Sequence, residues 1–276
     1  MVAAAKVKKA ENTVKAARPF SDELLHLFRK MLTTVGEISS DNLKIEKALD
    51  DYPALLTRRD VKSEGLLVIT SNKGLAGAYN ANIIKTTLKR IKENSEKGIH
   101  TVIYPVGQKA ISGFKNKSGD FEVHEGYISV ANEPTALGAN LIAEDIAKDY
   151  VNRKIDRIDI ITTHFNNMMS YNIVDWEILP VEVDKAEVHE LDPVMEFDPS
   201  AHRVLQQIVP MYITNSIYQA LLEANASELA SRMTAMSAAS NNAEEMITTL
   251  TIDYNKARQA AITQELVEIV SGASAI

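Results

Sequence analysis

Along the C-terminal part of the chain, apolar side chains recur at alternating intervals of four and three residues: Leu222, Ala226, Leu229, Met233, Met236, Ser240, Ala243, Ile247, Leu250, Tyr254, Ala257 and Ala261. Ser240 is the one polar exception. This spacing puts all of them on one seam of a helix, and a seam that holds its phase over more than five heptads predicts a coiled coil. The stripe of a straight helix on a globular core would instead drift around the axis. A second seam runs through Val7, Ala10, Val14, Ala17, Ser21, Leu24, Phe28, Met31 and Val35, and it crosses Pro19 without a change of phase. A proline removes one helical hydrogen bond and kinks the axis, so the kept phase predicts a helix that continues bent or restarts in line. Many seam residues are small, which predicts two helices in close approach, a thin shaft.

Glycine and proline mark the rest of the organisation. None occurs among the 61 residues from Met211 to Ser271, whereas nearly all of them fall between Gly36 and Pro210. A helix over those 61 residues is about 90 Å long, more than the width of a domain of this size. Residues 1 to about 50 form a second long helix, antiparallel to it, with about 170 residues inserted between. The insert alternates strand and helix patterns. Strands are predicted at 65–70, 100–106 and 121–130, helices at 78–94, 107–114 and 133–151 with Pro134 in the first turn, and a closing hairpin at 157–165 and 171–183. That order predicts a mostly parallel sheet with an antiparallel edge. The fold class is therefore α/β: a long antiparallel coiled coil of N- and C-terminal helices carrying an inserted Rossmann-like α/β domain. The expected boundaries are 1–55, 56–195 and 196–276.

Candidate chemistry is sparse. In "VITSNKGLAGAYNANIIK" (68–85), Gly74 and Gly77 lie at a strand-to-helix corner behind Lys73. Helix N-terminal amides there would favour an anion, but neither a dinucleotide nor a mononucleotide loop spacing is present, and a plain tight turn uses the same glycines. The chain of 276 residues is 45% hydrophobic, enough for a real core, and no apolar run is long enough to span a membrane. A net charge of −7 argues against non-specific nucleic-acid binding, although residues 1–18 hold five Lys or Arg against one Glu. There is no cysteine, hence no disulfide and no thiolate chemistry. The six histidines are scattered, with no pair at metal-ligand spacing. Glu144, Asp145 and Asp149 read as a solvated helix face, and Met233 and Met236 as seam packing. Read from the residues alone, the protein is mechanical or an assembly factor, with a coiled-coil scaffold and a nucleotide-binding enzyme using the 73–77 loop as alternatives.

The opening "MVAAAKVKKAE", the corner "ITSNKGLAGAYN", the stretch "EFDPSAHRVL" and the dense tail "ELASRMTAMSAASNNAEEMITTLTIDYNKARQAAITQELVEIVSGASAI" resemble the gamma subunit family of the F-type ATP synthase. The resemblance covers essentially the whole chain. It implies a rotor shaft inside a ring of alternating alpha and beta subunits, with no cofactor and no chemistry of its own. Where family members often have cysteine at the corner, this chain has Ala76, and there the corner carries no nucleotide. The cysteine insert of the chloroplast branch is absent. Ring contacts are implied for Arg258 and Gln259 in "KARQA", and contacts with an acidic lever of the beta subunit for Lys6, Lys8 and Lys9. Contacts with the proteolipid c-ring and the epsilon subunit are implied around Glu196 and Asp198 and on the body. The expected location is a peripheral complex on the cytoplasmic face of a bacterial inner membrane, or the matrix face in a mitochondrion, with no direct membrane insertion. Family members usually carry about two dozen residues before the "MVAAAK" segment, so the last 40 or so residues here are expected to run as a single helix held by the ring walls.

Overall fold

The computed structural model describes residues 2–40, 55, 58–115, 117, 119–180 and 201–273. Residues 1–233 make one compact unit and residues 234–276 a second. The elements are α1 (Val2–Ser40), β1 (Ser63–Ile69), α2 (Tyr79–Glu96), β2 (His100–Val106), α3 (Gln108–Lys115), β3 (Phe121–Val123), α4 (Ser129–Asn132), α5 (Ala136–Val151), β4 (Arg157–Asn167), β5 (Ser170–Leu179) and α6 (Ala201–Ala273).

The sheet order is β3-β2-β1-β4-β5, with β1 parallel to β2 and to β4, β2 parallel to β3, and β4 antiparallel to β5. The mostly parallel sheet with an antiparallel edge is thus present. Both faces are covered, which is why β1 reads as an unbroken apolar run. Leu66 and Val68 point to a core with Ile83, Ile103, Phe114 and Ile161. Leu67 and Ile69 point to the opposite core with Tyr104, Ile142, Ile146, Ile160, Ile213 and Ile217. Each such fully buried side chain stabilises the fold by about 1.5–3 kcal/mol.

The second hairpin strand, expected over 171–183, ends at Leu179, and 181–183 lie outside the described residues. Three other boundaries differ by more than two residues from the pattern reading. The strand expected over 121–130 stops after Val123, because Tyr127 turns back to the end of β2, where its N–H donates to Pro105 O (2.9 Å) and its carbonyl accepts from Gly107 N (2.8 Å). The helix expected from 133 begins at Ala136. Pro134 keeps Glu133 extended (φ −132°, ψ 86°), and Thr135 is the N-cap, its hydroxyl accepting from Gly138 N. The C-terminal helix starts ten residues before Met211 and runs through Pro210, just as α1 runs through Pro19. In both cases the lost hydrogen bond is outweighed by apolar packing on either side: Val209 and Ile213 flank Pro210 in the core.

Within the first unit α1 and α6 pair antiparallel. Val7 and Val14 are buried with Leu222, Ala226 and Ala230, and Ala10, Ala17, Leu229 and Met233 pack against them. Further along, Phe28 stacks on Tyr212 with ring centroids 5.0 Å apart. The side chains of Met31 and Val35 lie outside the described ones. The predicted seam is therefore occupied by α1 as far as Met233.

Candidate functional site

The glycine corner clasps α6. Gly77 has φ +54°, in the left-handed region where glycine carries no Cβ penalty, while at Gly74 a Cβ would meet only the end of the Lys109 side chain, 3.9 Å away. Hydrogen bonds through side chains fasten the corner to the body. Thr70 Oγ1 donates to Val106 O (3.0 Å) and accepts from Ala110 N (2.8 Å), and Asn80 Oδ1 accepts from Ser71 N (3.0 Å). Two carbonyls of the corner then meet donors from α6. Ser231 Oγ donates to Ala76 O (2.7 Å), and Arg232 Nε and Nη2 donate to Gly74 O (3.3 and 3.2 Å). Tyr79, fully buried at the start of α2, donates from its hydroxyl to Ala224 O (3.1 Å). Burial raises the Tyr79 pKa well above the usual phenol range, so it is a donor at every working pH.

Beside the clasp lies a groove of about 550 Å³. Lys6 and Lys9 of α1, Lys73 of the corner, Arg232 and Glu228 of α6, and Glu133 line it. Arg232 is ion-paired to Glu228, whose pKa is raised by burial against the pull of that arginine. The structure separates the three N-terminal lysines. Lys6 and Lys9 face the groove, whereas Lys8 pairs with Glu11 (3.0 Å), which Lys15 also holds (2.7 Å).

A third assembly ties α1, β4 and α6 together. Arg18 donates from Nε to Glu223 Oε1 (2.8 Å), and from Nη2 to Glu223 Oε2 (3.0 Å) and to Phe165 O (2.7 Å). Glu223 Oε2 also accepts from Phe165 N (2.7 Å), and Oε1 from Gln219 Nε2 (2.9 Å). His164 Nδ1 stands 3.4 Å from Glu223 Oε2.

At the opposite end of the strands sits a buried ionic cluster. Glu64 and Asp159, both nearly inaccessible, share Arg90 (2.8 and 2.7 Å), and Arg157 bonds Asp159 (2.7 Å) and Glu177 (3.1 Å). Burial pushes the Glu64 carboxyl up, but hydrogen bonds from Arg90 and Asn94 outweigh it and hold the pKa below the usual carboxylate range. For Asp159 burial prevails over the pull of Arg157, and its pKa is raised.

In the second unit Arg258 and Gln259 are exposed, as are the seam residues from Met236 onward, including Ile247 (65%), Leu250 (60%) and Tyr254 (66%). Met236 is accordingly not packed. Glu196 and Asp198 lie outside the described residues. Asp149, read as part of a solvated face, is buried: its carboxylate accepts from Tyr104 Oη (2.9 Å) and pairs with Lys154 (2.8 Å). Pattern reading also passed over Arg18, Glu223, Tyr79, Ser231 and Arg232. A signal for one pair was present, since Arg18 and Glu223 each directly follow a seam residue, the flanking position where interhelical charge pairs form. Among the described residues, no cluster of His, Cys, Asp or Glu is arranged to hold a metal ion, and no helix is long and apolar enough to cross a membrane.

Two paired helices clasped by an α/β body, with hydrogen bonds from both helices joining them to it, define a shaft-and-body class of protein. Comparison with known proteins makes the class specific. The family model described as ATP synthase matches residues 1–276. The ATP synthase gamma chain of Synechococcus sp. (strain JA-3-3Ab) is 37% identical over 302 residues, covering 100% of this chain and 92% of that one. Those of Picosynechococcus sp. and Nostoc punctiforme are each 38% identical, with the same coverage. Among solved structures, the fold matches a chain of the Euglena gracilis mitochondrial ATP synthase (TM-score 0.55, 16% identity, 99% of this chain and 95% of that one). It also matches one of the Tetrahymena thermophila central stalk and c-ring (TM-score 0.51, 23% identity, 87% and 100%). The chain belongs to the ATP synthase gamma-chain family.

Proposed function

We propose that the protein is the central-stalk rotor of an F-type ATP synthase, a non-catalytic subunit that couples proton-driven rotation to ATP synthesis, and ATP hydrolysis to rotation in reverse. The observation that carries this reading is the apolar seam of α6, buried by α1 up to Met233 and solvent-exposed over Ile247, Leu250 and Tyr254. An apolar stripe of that kind calls for protein walls around it. In this reading the walls are the alpha and beta subunits, whose catalytic work is done in beta. A shaft without threefold symmetry in a threefold ring presents a different face to each catalytic site. Sites shift state only through such unequal contacts, so rotation makes them exchange states in turn. The coupling is reciprocal, which is why it runs both ways.

Residues 1–55 and 196–276 serve as shaft and residues 56–195 as body. Arg258 and Gln259 supply donors to the ring, with the guanidinium suited to bidentate contact with carboxylates. Lys6 and Lys9 meet an acidic lever of beta, whereas Lys8 is taken up by its pairing with Glu11. Glu196, Asp198 and the body contact the c-ring and the epsilon subunit. The complex is peripheral at this subunit, on the cytoplasmic face of a bacterial membrane or the matrix face of a mitochondrial one.

The same exposed seam also suits a homotypic coiled-coil scaffold, and one experiment separates the two. The chain is co-expressed with alpha and beta subunits, then followed by gel filtration and Mg-ATP hydrolysis. The rotor reading expects co-elution of a single copy per catalytic ring and activity that falls in an Arg258→Ala, Gln259→Ala variant. Self-association of a folded chain that ignores the ring would sink it.

A further inference from the structure

We propose that Arg18 and Glu223 are the positioning residues of a torque joint, the point at which the α/β body grips the two-helix shaft and fixes its axial register. The proposal rests on the rotor role above. β4 makes its last pairing with β1 at Ile161 but continues to Asn167, so its edge beyond that point has lost its neighbour strand. The backbone of Phe165 on that stretch is taken up by the pair: its N–H donates to Glu223 Oε2 and its carbonyl accepts from Arg18 Nη2. The two side chains thus stand in for a strand, with one contributed by each helix of the shaft.

Four donors converge on the Glu223 carboxylate from three elements, Arg18 Nε and Nη2 from α1, Phe165 N from β4 and Gln219 Nε2 from α6 itself. The Glu223 side chain is only 6% exposed, so water has little access to replace a broken bond. The surroundings make this directional contact matter. The seam here is built of Val14, Ala17, Leu222, Ala226 and Ala230, mostly small, with Phe165 beneath. Small apolar side chains resist separation but offer little relief against sliding or twisting, because burial is non-directional. A bidentate guanidinium–carboxylate pair fixes both distance and orientation, and a shift of either helix along the other breaks several of its bonds together. A relay extends the grip one turn further: Asn215 Nδ2 donates to Ser21 Oγ (3.0 Å), which lies beside Gln219 Oε1 (3.4 Å).

The test uses the complete ATP synthase in membrane vesicles, with ATP-driven proton pumping divided by ATP hydrolysis as the readout. A purely structural residue would change the amount of assembled enzyme, not this ratio. Arg18→Met is expected to leave hydrolysis per assembled complex near the wild-type value and to lower the ratio by about fivefold or more. Arg18→Lys, which keeps the charge but cannot span both carboxylate oxygens and Phe165 O, should fall between. Ser21→Cys with Asn215→Cys, added to Arg18→Met, then staples the helices one turn away, and since the chain has no other cysteine the bridge is unique within it. Closing the bridge should restore the ratio and reducing it should abolish the gain. Should Arg18→Met not enter the complex, the same staple is tested on Glu223→Gln. A ratio equal to wild type in the unstapled variants, or one that the closed staple fails to restore, overturns the joint. Loss of the rotor reading would show differently, as a wild-type chain that supports neither hydrolysis nor pumping.

Discussion

Replacing Arg90 by Met removes the shared cation of the buried ionic cluster while roughly keeping side-chain volume. Glu64 and Asp159 are 2% and 3% exposed, and Arg90 is 2.8 and 2.7 Å from them. Breaking a buried pair from one side costs about 3–5 kcal/mol, because the remaining charge is left without solvent. Here Arg157 still bonds Asp159 and reaches Glu64 at 3.4 Å, and Asn94 still donates to Glu64, so the lower end, about 3 kcal/mol, is expected. The loss depends on pH. The Glu64 pKa is lowered in the fold, so its ionised form adds stability above the ordinary carboxylate value of 4.5, and this contribution disappears as pH falls through the lowered value. Asp159, whose pKa is raised, works in the opposite sense: the fold favours its protonated form, and that preference is lost as pH rises through the carboxylate range. Both directions make Arg90 most valuable near neutrality, and the cost of losing it should shrink toward about pH 4. Trp176 is the sole tryptophan, pairs with Ile160, beside Asp159, and packs on the core that β4 shares with α6, so urea unfolding followed by its fluorescence reports on this sheet and that core. A shift of about 3 kcal/mol moves the midpoint by roughly 1 M urea or more. Adding Glu64→Leu to Arg90→Met should recover part of the loss, since it removes the stranded charge. A cost below about 1 kcal/mol at neutral pH, or one equal at both pH values, would refute the account.

Three further outcomes follow from the geometry. Gly107→Ala should destabilise by more than about 2 kcal/mol in the same unfolding assay, because φ is +90° and the new Cβ would lie 2.4 Å from Thr70 O. Tyr79→Phe leaves the buried Ala224 carbonyl without its side-chain donor and should cost about 1–2 kcal/mol, with Trp176 fluorescence of the native state unchanged. In the assembled complex, Lys6→Glu with Lys9→Glu should slow ATP-driven rotation of a bead on the rotor, whereas Lys8→Glu, whose residue already faces Glu11, should leave its speed within the wild-type spread.

The two long helices and most of the sheet were legible because their signals are periodic and long. A heptad seam states its own partner, and Leu66 to Ile69 form a continuous apolar run that only a strand covered on both faces requires. What was not legible depended on contacts distant in sequence. Arg18 meets Glu223 across 205 positions, and Ser231 meets Ala76 across 155, and neither pairing follows from local spacing. Asp149 was read as solvated because its helix neighbours are polar, yet Tyr104 on β2 covers it. The β3 region was over-read because alternation in "FEVHEGYISV" cannot announce that Tyr127 returns to the end of β2. At the candidate site the residue types were visible and their grouping was not. Lys6, Lys8 and Lys9 look equivalent in the sequence, and only the helix turn puts Lys8 beside Glu11 and the other two on the groove.

The division of labour between apolar and polar contacts in the shaft has a physical logic. An antiparallel pair of helices with alanine-rich seams buries nearly the same apolar surface if one helix slides by a heptad, since one small side chain replaces another. Apolar packing therefore favours pairing but specifies register weakly. Register is instead written by the few directional contacts that cannot be satisfied after a slide: Arg18 with Glu223, Ser21 with Asn215, and the rings of Phe28 and Tyr212 stacked on each other. Along these three the residue number rises on α1 as it falls on α6, so they agree on one alignment. Ser231, Arg232 and Tyr79 then bind that alignment to the corner of the body. Pairing in such a shaft is set by the apolar seam and alignment by the keyed contacts. Substitutions along the seam should therefore tolerate other small apolar residues, and those at the keyed positions should not.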